Sequence, residues 1–378
     1  MSGPSVFTVA REALLPALQA ARAAVERRTT IPVLANLLVE ARDGRLSLTG
    51  TNLDLEVTAS CPAEGKLPAM TVPAGLFVDA VRKLPEGVSV RVEADAQFAT
   101  ISAARSKFRL PILPAADFHL MATGDLPNQF EMDGADIDRI LGAVTFAISS
   151  EETRYYLNGI HFHQSERDGE KKLVAVATDG HRLSVVDLPL PEGADGMPGI
   201  ILPRATCGLL KGFGGKGKVS IGLSATKIRF EADAADGFGT TIVSKLIDGT
   251  FPDYRRVVPP RYANTFSLDC EQFSTAVDRV VTISAGAKGS AVKFTFDTDT
   301  LVLLANNPDV GTAEDSVSVS DATGDKVEIG FNGRYCLDML QACPSERVKV
   351  YLGDPGSPAR IEPEGQDDQV FVIMPMRV

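Results

Sequence analysis

The stretch Leu173-Val174-Ala175-Val176-Ala177-Thr178-Asp179 has two counterparts in the same chain. They are Leu46-Ser47-Leu48-Thr49-Gly50-Thr51-Asn52 and Leu301-Val302-Leu303-Leu304-Ala305-Asn306-Asn307. Each reads as a buried strand that closes on a small residue and a polar turn pair, and the starts at 46, 173 and 301 are evenly spaced. Similar blocks flank every copy. Upstream, Phe7-Thr8-Val9, Phe130-Glu131-Met132 and Phe266-Ser267-Leu268 open strands that run into helices. Leu14 and Leu18, Ile137 and Leu141, and Phe273 and Val277 sit four apart in those helices, on one face. Downstream, Val72-Pro73, Leu202-Pro203 and Phe331-Asn332 lead into second helices, and proline suits the opening turn. Alternating strands such as Val88–Val92 and Arg347–Tyr351 follow.

The pattern is a threefold repeat of roughly 125 residues, each with two helices and about eight antiparallel strands, and the class is α+β. Pro127, Pro252, Pro259 and Pro260 mark connectors. They give expected domains at 1–125, 126–258 and 259–378. The period is too long for a solenoid unit, so each repeat is expected to carry its own core.

The 44% apolar and 23% charged residues are those of a water-soluble globular chain. No apolar run reaches the length of a membrane span, and Met1–Val9 lacks the basic and apolar pattern of a secretory leader. The five cysteines are scattered and form no C-x-x-C pair, which points to a reducing compartment rather than a disulfide framework or a zinc site. A net charge of −11 excludes a uniformly basic surface but not a local one. The expected helices 11–28 (Arg11, Arg22, Arg27 and Arg28 against Glu12 and Glu26), 73–84 and 203–216 (Arg204, Lys211, Lys216) are net basic. Those at 135–154 and 271–284 are net acidic and that at 333–347 is neutral, yet the six together remain positive within an acidic chain.

Thr178-Asp179-Gly180-His181 has the look of a catalytic segment, but the repeats argue otherwise. Asp179 aligns with Asn52 and Asn307, so the position calls for a short turn-forming side chain rather than an acid. His181-Arg182-Leu183 occurs in the middle repeat alone, which marks a role used by one repeat. His161 and His163 flank Phe162 and share a strand face, but no third metal ligand is placed by spacing. A hydrolase built on His161, His163, Asp179 and His181 would also lack a phosphate loop, a nucleophile elbow and a zinc signature.

Further motifs are Arg154-Tyr155-Tyr156-Leu157-Asn158-Gly159, Ala177-Thr178-Asp179-Gly180-His181-Arg182-Leu183, Phe251-Pro252-Asp253-Tyr254-Arg255-Arg256-Val257 and the terminal Met374-Pro375-Met376-Arg377-Val378. With Thr30–Leu38 and Leu113–Phe118, they resemble the beta subunit of bacterial DNA polymerase III, the sliding-clamp family, from about Phe7 to the end. The resemblance implies three similar domains per chain and a closed six-domain ring made by a head-to-tail homodimer, with helices lining the hole. Twelve helices spaced about 10 Å apart leave an opening of roughly 28 Å, wider than a duplex of about 20 Å.

It also implies a non-catalytic, cytoplasmic processivity factor with no cofactor, no metal and no membrane partner. Double-stranded DNA would be held without sequence preference by Arg28, Arg154, Tyr155, Tyr156, Arg204 and Lys211. Glu151 departs from the neutral amide usual at its position. The DNA polymerase III alpha subunit, the clamp loader, other polymerases and repair factors would dock short peptides in one pocket. Its residues would be Leu157, Thr178, Gly180, His181, Arg182, Leu183, Pro252, Arg256, Val257, Val372, Met374, Pro375, Met376 and Arg377, with Asn332 and Tyr335 forming its outer part. The subunit interface would set Arg105, Lys107 and Phe108 against Thr282, Ile283, Glu314 and Asp315. A monomeric scaffold that uses the pocket without encircling DNA is the rival within the same fold.

Overall fold

The computed structural model describes residues 5–26, 28–215, 217–233, 237–284 and 291–377. Arg27 and Lys216, counted above among the helix cations, and Val378 of the terminal motif lie outside them. Each third of the chain carries two α-helices: α1 (Arg11–Arg22) and α2 (Ala74–Arg82), α3 (Gly134–Val144) and α4 (Arg204–Leu210), α5 (Cys270–Ser284) and α6 (Gly333–Ala342). Leu14, Leu18, Ile137, Leu141, Phe273 and Val277 are all buried, as their spacing required.

The strands do not respect the thirds. The chain forms two compact units, the first made of 1–137, 191–197 and 209–246, the second of 138–190, 198–208 and 247–378. In the first unit a thirteen-stranded antiparallel sheet takes strands from two thirds, and Gly239–Lys245 pairs with Leu55–Pro62 at the junction. In the second unit a nine-stranded sheet does the same, with Arg182–Pro189 against Gln369–Ile373. A four-stranded sheet of Gly311–Ser318, Thr300–Asn307, Ala291–Phe296 and Val327–Asn332 completes that unit. The strands of the middle repeat are divided between the two sheets: Asn128–Asp133, Lys218–Leu223, Lys227–Asp233 and Gly239–Lys245 in the first, and Gly159–Arg167, Glu170–Thr178, Arg182–Pro189 and Ile200–Pro203 in the second. Its outer strands satisfy their backbone donors and acceptors by pairing with the neighbouring repeats, which removes two exposed edges.

In the first unit α1 buries Leu14, Ala17, Leu18 and Ala21 in a core shared with Phe77, Val78 and Val81 of α2. Gly50 makes this packing possible, because a Cβ there would stand 2.2 Å from the Ala21 carbonyl oxygen. In the second unit Phe273, Val277 and Val280 of α5 meet Leu337 and Leu340 of α6 over a group of rings from Phe266, Phe294, Phe296 and Phe331.

The helices are shorter than the charge pattern suggested. α1 closes at Arg22 with tight turns from Ala23 to Ala20 and Val25 to Arg22, which leaves Arg28 beyond its end. α4 stops at Leu210 because Gly212 takes the left-handed conformation, φ +72°, so Lys211 lies in the turn. α3 gives way after Val144 to short 3-10 turns at Thr145–Ala147 and Glu152–Leu157, and Glu151 and Arg154 are not on an α-helix. Arg11 is also no free cation, since its guanidinium donates to the Val81 and Arg82 carbonyls at the end of α2.

Candidate functional site

Three equivalent turns explain the recurring polar pair. Asn52 Oδ1 accepts from the Asp54 and Leu55 amides, Asn307 Oδ1 from the Asp309 amide, and Asp179 Oδ1 from the His181 and Arg182 amides at 2.9 and 3.0 Å. The side chain at this position builds the turn, as the repeat alignment required.

The second oxygen of Asp179 is where the middle repeat departs, because it accepts from Arg182 Nε at 3.0 Å. Arg182 also donates to Asp338 Oδ2 at 2.6 Å and lies over the rings of Tyr335 (4.4 Å) and Phe146 (5.2 Å). His181 also stacks on Tyr335, with ring centroids 6.2 Å apart. The side chain of Arg182 is only 12% exposed, so two carboxylates and two aromatic faces fix the guanidinium.

Beside this column opens a cavity of about 270 Å³, wholly within the second unit. Leu157, Leu183 and Val372 form its floor on a small core with Val176, Ile201 and Phe251. Register explains the meeting, since Leu183 pairs with Val372 across the strand junction and with Thr178 across the preceding hairpin. Pro252, Asp253, Tyr254 and Val257 make one wall, and Arg154, Tyr156, Thr178, Gly180, Arg182 and Met374 complete the lining. Val257 and Met374 are 50% and 39% exposed, large apolar surfaces at the mouth of a concave site. The Met374 amide donates to the His181 carbonyl at 2.8 Å, which hangs the tail over the pocket.

Arg154 belongs to this wall. Its Nη2 donates to the Asp179 carbonyl at 2.9 Å and pairs with Glu151 at 2.8 Å, which holds the Glu151 carboxyl below its ordinary range. Gly180, at φ +88°, leaves the space, because a Cβ there would lie 2.4 Å from Arg154 Nη1.

Behind the Tyr254 wall lies the histidine pair. His163 Nε2 meets the Tyr254 hydroxyl at 3.0 Å, and His161 stacks on Phe251 at 4.8 Å while its Nδ1 meets the Ile200 carbonyl at 3.0 Å. Burial drives the His161 pKa down to about 4, and lowers that of His163. Among the described residues no group of three or more His, Cys, Asp or Glu could hold a metal ion.

The structure thus gathers Leu157, Thr178, Gly180, Arg182, Leu183, Pro252, Val257, Val372 and Met374 around one cavity. Other residues expected there lie elsewhere. Arg256 is exposed and pairs with Asp253, and Asn332 caps α6 by accepting from the Arg334 and Tyr335 amides. Tyr335 lies against Arg182 and His181 stacks on Tyr335, both outside the lining. Pro375, Met376 and Arg377 line a different cavity with Lys293, Glu328 and Gly330, because the Met376 amide ties the tail to the Gly330 carbonyl.

Of the residues expected to meet DNA, Arg154 and Tyr156 also line the pocket, and Arg204 donates to the Ile148 carbonyl. Tyr155, Lys211 and Arg28 are exposed. Asp253 and Tyr254, inside the Phe251–Val257 motif, are further lining residues not among those expected in the pocket.

The expected interface residues sit on or beside edge strands. Ser106–Pro111 ends the thirteen-stranded sheet and Gly311–Ser318 ends the four-stranded one. Phe108 packs partly against the core, and Arg105 and Lys107 just before it are exposed. Glu314 is exposed, whereas Asp315 is held at 2.5 Å by Arg279 of its own chain. Thr282 and Ile283 lie in the last turn of α5.

A repeated α+β fold of antiparallel sheets with an apolar pocket at one sheet junction is that of the beta subunit of DNA polymerase III. The N-terminal, central and C-terminal domains of that family match residues 5–122, 131–253 and 255–377, and the chain belongs to this family, the beta sliding clamps. It is 42% identical to the beta sliding clamp of Caulobacter vibrioides over 98% of this chain and all of that protein. To the Escherichia coli K12 clamp it is 36% identical, with the same coverage. Among solved structures, the sliding clamp of Bartonella birtlesii bound to griselimycin superposes with TM-score 0.94 at 42% identity, covering 99% of this chain and all of that one. A Caulobacter crescentus clamp gives 0.92 at 41% identity, covering 99% of both chains.

Proposed function

We propose that this chain is a non-catalytic processivity factor. Two copies, joined head to tail, close a ring around duplex DNA and tether partners through short peptides. The pocket between Leu183, Val257 and Met374 carries this reading. An apolar floor walled by Arg154, Thr178 and backbone groups suits an apolar peptide anchor with a few oriented polar contacts. The DNA polymerase III alpha subunit, the clamp loader, other polymerases and repair factors are the proposed owners of such peptides, with the work done in the cytoplasm. Griselimycin, found on the Bartonella birtlesii clamp, is proposed to occupy the same pocket.

The domains are proposed at 1–125, 126–258 and 259–378. Arg28, Arg154, Tyr155, Tyr156, Arg204 and Lys211 are the proposed loose contacts to DNA, a small set that suits a ring held by topology rather than affinity. The edge strands at Ser106–Pro111 and Gly311–Ser318 suit each other across a head-to-tail interface. Each offers unpaired backbone, and Arg105 and Lys107 on one face Glu314 on the other.

The deciding experiment loads the protein on a nicked circle and on the same molecule linearised. Retention on the circle through high salt, with loss from the linear form, supports the ring. Equal, salt-sensitive retention on both overturns it.

A further inference from the structure

Cys270 and Cys343 lie far apart in sequence, yet their sulfur atoms stand 3.7 Å apart. Topology brings them together. Asn264–Asp269 and Arg347–Leu352 pair as antiparallel strands whose last partners are Asp269 and Arg347. Cys270 follows directly as the first residue of α5, and its amide donates to the Glu346 carbonyl at 2.8 Å. Cys343 closes α6 in extended conformation, its amide held by the Leu340 carbonyl. Backbone bonds therefore anchor both residues, and the two thiols meet side by side at the junction of two helices.

The other cysteines differ. Cys61, Cys207 and Cys336 are fully buried, and burial pushes their thiols up to about 11, 12 and 12. Cys270 and Cys343 are both partly open to solvent. The Cys270 S–H donates to the Cys343 sulfur, which lowers the Cys343 thiol below its ordinary value and raises that of Cys270. A partly accessible sulfur that accepts a hydrogen bond from a second thiol in contact is the arrangement of a peroxide-sensitive pair.

We propose that Cys270 and Cys343 are a reversible oxidation site that closes to an intramolecular disulfide with hydrogen peroxide as oxidant. The Cys343 thiolate attacks one peroxide oxygen, an S–O bond forms, the O–O bond breaks, and the departing hydroxide takes up a proton as water. The Cys270 sulfur then attacks the sulfenic sulfur; the S–S bond forms and the second oxygen leaves as water with the Cys270 proton. Two thiols are oxidised and one peroxide is reduced to two waters. The product staples the start of α5 to the end of α6. Tyr335 of the arginine column is in the first turn of α6, and Asp338 is near its middle.

The test treats the whole protein with equimolar hydrogen peroxide and follows it by intact mass and by mapping under non-reducing conditions. The expected result is a loss of about 2 Da per chain, a cross-link between the Cys270 and Cys343 peptides, and full reversal by a dithiol reductant. In Cys270→Ser the sulfenic acid has no partner and a sulfenic-specific probe labels Cys343. In Cys343→Ser neither the cross-link nor the label forms. A cross-link to any other cysteine, a link between chains, or direct passage of Cys343 to sulfinic acid in the native protein would overturn the proposal.

Discussion

Asp179 and Arg182 show how one turn can be held in common and then put to use. The turn needs only a single acceptor oxygen, which asparagine supplies at positions 52 and 307. Aspartate adds a second oxygen, and that oxygen holds Arg182. Removing the arginine leaves Asp179 and Asp338 with no cation between them in a half-buried site. Arg182→Ala is therefore expected to cost about 2 kcal/mol, read as a shift in the urea unfolding midpoint. Gly180→Ala acts differently. Its methyl group displaces the Arg154 guanidinium and strains a positive φ, so griselimycin affinity is expected to fall about tenfold in calorimetry while the far-ultraviolet spectrum is kept.

His161 gives a pH dependence. Its folded pKa of about 4 lies below the ordinary 6.5, so the unfolded chain takes up the proton first and stability falls as pH drops from 6.5 towards 4. The loss is on the order of 2 kcal/mol after allowing for solvent. Buried Glu56 and half-buried Asp187 have raised pKa values and pull the other way, so the comparison with His161→Phe, which flattens the slope, isolates the effect. This level was partly legible in sequence. The repeats exposed Asp179 as a turn former and His181-Arg182-Leu183 as the odd copy. They could not show that Arg154 leaves solvent to brace Gly180, because that contact depends on a 3-10 turn that the helical pattern concealed.

At the level of elements, periodicity located the six α-helices found among the described residues and overextended most of them. Hydrophobic spacing reports which face is buried, whereas the ends depend on local events such as the left-handed Gly212 and the tight turn after Arg22. Arg11 likewise looked like a surface cation until the end of α2 was seen to need a donor. Two changes probe elements directly. Gly50→Ala forces α1 off its strand and should destabilise the first unit by about 1–3 kcal/mol in thermal unfolding. Lys107→Glu should weaken self-association about tenfold in sedimentation, and Glu314→Lys in the same chain should restore it. Weakening without restoration would place the two charges in separate surroundings.

For the molecule as a whole, the threefold pattern and the sheet-forming blocks could be read in advance, since they are local and repeated. The merging of the middle repeat into both sheets could not, because an edge strand looks the same in sequence whether it ends a sheet or joins the next. The contact of Cys270 with Cys343 stayed hidden for a related reason, as it arises where a distant strand pair ends. Both depend on pairing between remote segments, which no local pattern encodes.

The junction of Leu55–Pro62 with Gly239–Lys245 also sets a timetable for synthesis. The first strand leaves the ribosome long before its partner exists, and at about 5–20 residues per second the wait is roughly 10–40 s. Through that interval the nascent N-terminal third carries an open sheet edge, able to pair with another chain emerging from the same message. Crowded translation of this protein is therefore expected to depend on factors that shield nascent strands, even though the finished fold leaves that edge covered.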